Sequence, residues 1–365
     1  MIKTILIISP ESWQAHAVSK HHYAMTLTAQ GFSVLFLGPP SAGSQLAIEP
    51  APGHPGLFIV QAPAVGRGLR FYPGFVRRRL EAAWLRRLEL AFGARVDMVW
   101  LFENSRFYDM GFASNRLKIY HQVDLNQNSH PATAARTADV CFCTSDGILA
   151  RLLPHNPRTH KIHHGTAVPA QPLALSTAQN ASLQSGGPNA VYIGNLDILY
   201  IDAELLAAAT QAHPAVRFHF VGGYSPQGQL RKLAAHLPNV VWWGKVPSPL
   251  IPTILARADV VLCAYKAAQY AEQLASPHKF MEYLASGRTI VATYTDEYKD
   301  QRHLLEMVDD NAGYLAAFSR VVGDLDEYNS PHRQAERKAF AEAHSYSKQL
   351  DRIFSLLQQR NLLTA

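Results

Sequence analysis

"SPHKFMEYLASG", residues 276–287, decides the fold. Ser276-Pro277 opens a helix, with a capping serine and a proline at the first helical position. Gly287 is the usual stop. "RTIVATY" (288–294) then reads as a buried strand. A helix delivered straight into such a strand is the repeating piece of a parallel α/β sheet. Lys279 and Glu282 are residues that such a helix does not need. Three apart, they share one side about one turn apart. A lysine in the first turn opposes the helix dipole, so helix stability does not account for it. An ion pair with Glu282 is the structural explanation. The functional one is phosphate, held by Lys279 and the free N–H groups of the helix start, with Glu282 accepting from paired sugar hydroxyls. A nucleoside diphosphate with its ribose needs that combination.

The same alternation extends outward. In the first part, "TILIIS", "FSVLFLG", "DMVWLFE", "RLKIYHQV" and "DVCFCTS" are strands; "SKHHYAMTLTAQG" and "FVRRRLEAAWLRRLELAFG" are helices. Residues 166–188 lack periodicity, are rich in Pro, Ser, Gln and Gly, and read as a linker. Strands and helices then resume from "AVYIG" to "TIVATY". The expected organisation is a Rossmann-like domain over 1–165, the linker, a second such domain over 189–330, and polar helices over 331–365 crossing back to the first domain. Two doubly wound parallel sheets facing across a cleft are the expected fold, with ligands at the carboxyl ends of the strands. "TADVCFCTS" (137–145) and "RADVVLCAY" (257–265) echo each other, as two similar sheets would.

The 365 residues are 48% apolar and 17% charged, an ordinary globular composition with material for two cores. No apolar run approaches 18 residues, so no membrane-spanning helix is expected. "MIKTILIISPES" reads as a first strand, not a leader, and a cytoplasmic location is the expectation. Three cysteines make neither a disulfide framework nor a zinc pattern. Charge is uneven: 17 Lys/Arg against 10 Asp/Glu up to residue 165, then 17 against 18. The positive half should meet something anionic. The helix containing Arg77, Arg78, Arg79, Arg86 and Arg87, with Phe75, Leu80, Trp84 and Leu88 available to one face, suits an anionic membrane surface or a lipid diphosphate. No nucleic-acid fold accompanies it.

No G-x-G-x-x-G follows the first strand and no G-x-x-x-x-G-K-[ST] exists, which argues against a dinucleotide-dependent dehydrogenase and a P-loop NTPase. Asp324-Leu325-Asp326 is a D-x-D in a polar segment, read as a solvated loop and not as a metal site.

"SPHKFMEYLASGRTIVAT" resembles the nucleotide-binding segment of GT-B glycosyltransferases, especially bacterial cell-surface glycan transferases of the teichuronic-acid-biosynthesis type. "YIGNLDILYIDAELLAAATQAHPAVRFHFVGG", "LPNVVWWGKVPSPLIPTILARADVVLCAY" and "ADVCFCTSDGILARL…KIHHGTAV" resemble further family stretches in the same order. The resemblance implies a GT-B fold and transfer from a nucleotide diphosphate sugar, a UDP-sugar by expectation, to a glycan or polyprenyl-linked acceptor without a metal. It implies that Glu282 meets the ribose, that Lys279 and Ser276 meet the diphosphate, and that Gly194 and Asn195 admit it to the backbone. Gly222 and Gly223 would floor the site, Lys245 and Val246 would meet the base, and Tyr265 would lie near the donor. Leu274 stands where many relatives have a first glutamate, eight residues before Glu282.

The acceptor and the base would lie in the first domain. Asp124, His121, Glu103 and His16 are the candidate bases. Trp13 is a candidate sugar-stacking ring, and Trp13, Arg77, Arg78, Arg79 and Trp84 are the acceptor or membrane candidates. A sugar-nucleotide epimerase on the same fold and a non-catalytic nucleotide-sugar binder are the alternatives.

Overall fold

The computed structural model describes residues 2–15, 17–43, 45–66, 68–125, 129–167, 173–184, 186–271, 274 and 279–362. The chain divides into two compact units: Met1–His164 with Tyr346–Ala365, and Gly165–Ser345.

The first unit is built on eight strands: β1 (Thr4–Ile8), β2 (Ser33–Leu37), β3 (Ala47–Pro50), β4 (Leu57–Gln61), β5 (Met98–Leu101), β6 (Leu117–Gln122), β7 (Val140–Cys143) and β8 (Thr159–Lys161). Their order is β3-β4-β2-β1-β5-β6-β7-β8, with every pair parallel except the edge pair β3–β4. β1 shows why continuous apolar runs form this sheet. Leu6 and Ile8 enter the core on one face, Ile5 and Ile7 that on the other. Both faces are dry, so no polar alternation is required. The helix Tyr346–Gln359 contributes Leu350, Ile353 and Leu357 to the second of these cores.

The second unit carries β9 (Asn189–Ile193), β10 (Arg217–Val221), β11 (Val240–Gly244), β12 (Val260–Cys263), β13 (Thr289–Ala292) and β14 (Glu306–Met307), ordered β11-β10-β9-β12-β13-β14 and parallel throughout.

The Ala-Asp-Val echo has a local cause. Asp139 Oδ2 accepts from the Lys118 N–H at 2.8 Å, and Asp259 Oδ2 from the Asn189 N–H at 2.7 Å. Asp97 does the same for Lys3 and Thr4. Each aspartate sits just before its strand and satisfies an N–H near the start of the neighbouring one. The two echoing strands are not equivalent, however: β12 lies beside the unit's first strand, while β7 stands third from β1.

Two boundaries differ from the expected ones. Within 166–188 the helix Thr177–Gln184 forms, its Leu183 buried and its carbonyl taking a bond from Asn189 Nδ2. The helix Pro331–Ala343, expected to cross back, stays with the second unit, because buried Arg337 donates to the carbonyls of Leu304, Gly287 and Tyr328. Only the chain from Tyr346 joins the first unit.

Candidate functional site

In the second unit the ends of β9, β10 and β11 are laced by backbone bonds. The Gly194 N–H donates to Val221 O (2.8 Å), Gly222 N–H to Gly244 O (2.8 Å) and Leu196 N–H to Gly223 O (2.9 Å). Such an approach requires glycine. Gly222 has φ +143°, and a Cβ there would lie 1.7 Å from Gly194 O. Gly194 has φ +152°, and its Cβ would fall 2.0 Å from Lys279 Nζ. A Cβ at Gly223 would lie 2.9 Å from Lys245 Cε. Two lysine side chains therefore lie directly on a floor of bare backbone.

The helix Lys279–Ser286 is held there by buried Phe280, Met281, Tyr283 and Leu284, and by the Tyr283 hydroxyl donating to Ile193 O at 3.0 Å. This places Lys279 Nζ 5.7 Å from the centre of the Tyr192 ring. Lys279 makes no ion pair with Glu282 or with any other carboxylate among the described residues. The structural explanation of that lysine therefore fails. Burial lowers its pKa, with Cys263 and Glu282 opposing. Glu282, one turn on, keeps an exposed side chain in surroundings crowded enough that burial raises its carboxyl, Lys279 opposing. The lysine is an uncompensated cation over glycine backbone, an arrangement that attracts an anion. Lys245 is exposed and likewise unpaired among the described residues.

The other expected donor residues divide. Asn195 is exposed, its Oδ1 accepting from the Asp197 N–H at 3.0 Å. Val246 is half-buried at the fringe of the core. Tyr265 is 2% exposed and packs against Tyr200, so it supports the loop and presents no face. Ser276 lies outside the described residues. Leu274 is buried. Asp324 accepts from the Glu327 N–H as a helix cap, which explains the first carboxylate of the D-x-D. A stack not anticipated from sequence stands beside Gly223: the Arg231 guanidinium lies 4.6 Å from the centre of the Trp242 ring and 5.5 Å from that of Tyr224. These residues are scattered over three elements and no spacing joins them.

In the first unit the candidate bases separate sharply. His121 is 1% exposed among Tyr23, Trp100, Phe102 and Phe142, and neither ring nitrogen has a partner. Burial first, then His164 and Lys20, push its pKa down to about 3. It is a neutral core ring, not an accessible base. Glu103 is tied to Arg106 at 3.2 Å and to the Ser105 N–H. Asp124 remains: its side chain is exposed, and burial raises its carboxyl, Lys20 opposing and Glu11 adding. Buried Lys20 pairs with Glu11 at 2.8 Å, and the charges of this pair act in opposite senses on the Asp124 carboxyl after β6. The Lys20–Glu11 pair joins a loop to a helix start, and only the fold reveals it. His16 lies outside the described residues. Trp13 is half-buried against His21, Phe36 and His54.

The arginine helix Gly74–Phe92 also departs from expectation. Arg77 and Trp84 face inward. Arg77 donates to the Tyr108 hydroxyl and to Asp109 and lies over the Tyr108 ring at 4.2 Å; Trp84 packs on Phe107. Asp109 neutralises both Arg77 and Arg78, the latter at 3.0 Å. The outward face holds Arg79, Arg86 and Arg87, with Phe75 56% exposed and Phe71, just before the helix, 76% exposed.

Residues 187–324 match the family described as Glycosyl transferases group 1. A Bacillus subtilis protein named TuaH, for a teichuronic acid biosynthesis glycosyltransferase, is 24% identical over 204 residues; the match covers 51% of this chain and about half (49%) of that relative. A sucrose-phosphate synthase from Thermosynechococcus elongatus superposes with a TM-score of 0.75 at 15% identity, over 99% of this chain and 100% of that one. The Anabaena protein Alr3699/HepE, solved with UDP and glucose, gives 0.68 at 14% identity over 98% and 100%. WaaG, a glycosyltransferase involved in lipopolysaccharide biosynthesis, gives 0.60 at 13% identity over 95% and 98%. The chain thus has the GT-B fold, and its residues 187–324 are similar to the glycosyl transferases group 1 family.

Proposed function

We propose that the chain transfers a sugar from a nucleoside diphosphate donor, a UDP-sugar, to a glycan or lipid-linked glycan acceptor in surface polysaccharide synthesis. The observation that carries this reading is Lys279, an ammonium without an ion pair among the described residues, on the bare backbone of Gly194, with Lys245 beside Gly223. A diphosphate supplies the anion this arrangement lacks. Glu282 takes the ribose hydroxyls and the aromatic stack at Trp242 borders the base. The two lysines supply the positive charge that a leaving diphosphate needs, so the transfer requires no metal. Asp124 accepts the acceptor's proton; its raised carboxyl suits a base better than an unperturbed one.

The outward face of the helix Gly74–Phe92 rests on an anionic membrane surface, with Phe71 and Phe75 entering the interface and Arg79, Arg86 and Arg87 meeting lipid head groups. Nucleic acid is not the partner, and the enzyme works on the cytoplasmic side. The test is a panel of UDP-, GDP- and ADP-sugars, reading nucleotide release with and without glycan acceptors. Acceptor-stimulated release of UDP is expected. Absence of binding and of release across the panel refutes the reading; an epimerised nucleotide sugar replaces it with isomerase chemistry.

A further inference from the structure

The first unit holds a cavity of about 110 Å³ that no donor-side feature uses. Leu37, Val65, Leu69, Trp84 and Phe107 give it apolar walls. Arg70, Arg77 and Arg106 bring guanidinium groups, of which Arg77 is paired with Asp109 and Arg106 with Glu103, and Glu81 is the single carboxyl among the described lining residues. Two buried polar atoms there have no partner, Arg77 Nε and Glu81 Oε2. Glu81 is 2% exposed and Arg77 8%. Phe107 holds a left-handed backbone (φ +54°), strained for a bulky residue and often found where a ligand is gripped. An unsatisfied Arg77 Nε–H in a mostly apolar cavity, with the Arg70 guanidinium at its rim making no ion pair among the described residues, calls for an occupant with oxygen acceptors and negative charge.

We propose that this cavity is an acceptor subsite for the anionic substituent of a sugar, a carboxylate or a phosphate ester. The oxygens of the substituent accept from Arg77 Nε–H and from the Glu81 acid, and the edge of the ring lies against Trp84 and Phe107. Calling the ligand an acceptor rests on the transferase reading; the binding itself does not. The volume supports the assignment. It is below the ~150 Å³ that accommodates a benzene ring, so a substituent with part of a ring enters and a long chain does not.

Glu81 makes occupancy depend on pH. Burial raises its pKa to about 8, Asp109 adding, Arg77 and the Phe107 backbone opposing. The groups facing it are Arg77 on its own helix, Asp109, Tyr108 and Arg106 on the segment after β5, and Arg70 before the helix; Leu37 and residues 62–65 bring no charge. Below about pH 8 Glu81 is a neutral acid that donates to an anion, and above it Glu81 is a second anion that repels one.

The experiment is calorimetric titration of the whole chain with D-glucuronate, D-glucose 6-phosphate and D-glucose. At pH 6.5 at least one acidic sugar should bind about tenfold or more tighter than glucose. Which acid binds tells carboxylate from phosphate. That affinity should fall about tenfold or more between pH 7 and 9.5, and Glu81→Gln should bind with no such fall. Ala64→Trp, at an exposed position on the rim, should abolish binding without lowering the melting temperature, which guards against a misfolded core variant. Equal affinity for glucose, no binding of either acid, or the same pH profile in Glu81→Gln overturns the proposal and leaves water as the occupant. Donor turnover without acid binding sinks the subsite alone. Acid binding without any nucleotide binding keeps the subsite and removes the transferase.

Discussion

Lys279→Met removes the ammonium and keeps most of the apolar stem. In the free chain that ammonium is a burden. Its folded pKa lies below its ordinary value of 10.5 because burial penalises the charged form, Cys263 and Glu282 only partly offsetting this. Between the two values the unfolded chain binds more protons than the folded one, so stability rises with pH there. Below the folded pKa the penalty is fully present; it fades as pH climbs towards 10.5. The methionine variant should thus melt no lower than the parent at neutral pH. Binding should respond in the opposite sense. A phosphate charge ~4 Å from the ammonium gains about 4 kcal/mol at an effective dielectric of ~20, and truncating one member of a partly buried charge pair costs about 2–5 kcal/mol. The expected loss of about 2–4 kcal/mol is a UDP affinity about 30- to 1,000-fold weaker. Calorimetry with UDP at pH 7 reads it directly. UDP affinity of the parent should also decline as pH rises through the lysine's folded pKa, and that of the variant should not. A variant that binds UDP within about threefold of the parent, with an unchanged melt, would falsify the reading of this helix.

Three further outcomes follow from the same geometry. Gly222→Ala drives a Cβ to 1.7 Å from the Gly194 carbonyl at φ +143° and should cost about 3 kcal/mol or more in urea unfolding, whereas Gly93→Ala, at φ +79° with nothing within 4 Å, should cost only about 1. His121 has a folded pKa near 3, below its ordinary 6.5, so the stability it confers is whole above pH 6.5 and is lost as pH falls towards 3. His121→Phe should flatten that acid loss, on the order of 4 kcal/mol, and leave transfer intact; loss of transfer in a folded variant would return the ring to the chemistry. Phe71→Ser with Phe75→Ser should weaken binding to phosphatidylserine vesicles about tenfold or more by sedimentation; unchanged partitioning would remove the membrane face.

The glycine floor and the lysine over it were legible because they are nearly contiguous. Lys279 and Glu282 are one turn apart, and the glycines at 194, 222 and 223 close strands that apolar runs announce. The first unit resisted for physical reasons. β6 is buried on both faces, so its alternation could not tell that His121 points into an aromatic core. An arginine in an amphipathic helix reads as exposed, yet Arg77 turns inward because Asp109, on the segment after β5, neutralises it. Lys20 with Glu11, and Glu81 with Phe107, meet only after the chain folds. Strands β3 and β4 were missed because a Pro- and Gly-rich turn, residues 50–56, breaks the helix–strand alternation that revealed the others.

Arg337 supplies the control for Lys279. Both are cations of the second unit withdrawn from water, and the fold treats them oppositely. Arg337 donates to three carbonyls, those of Leu304, Gly287 and Tyr328, at 2.9–3.0 Å. That side chain belongs to the architecture, joining the end of the Lys279–Ser286 helix to the segments before β14 and before Pro331. Lys279, on the helix whose end Arg337 secures, has no such partner among the described residues. A difference in stability alone cannot explain a chain that satisfies one buried cation three times over and gives the other no hydrogen-bond or carboxylate partner among the described residues. Arg337→Met should strand three carbonyls and cost about 3–5 kcal/mol, lowering the urea midpoint steeply while UDP affinity, measured below the transition, stays within about twofold. Lys279→Met should do the reverse. If the two variants moved stability and affinity together, Lys279 would be one more structural cation, and the case for a diphosphate on the glycine floor would go with it.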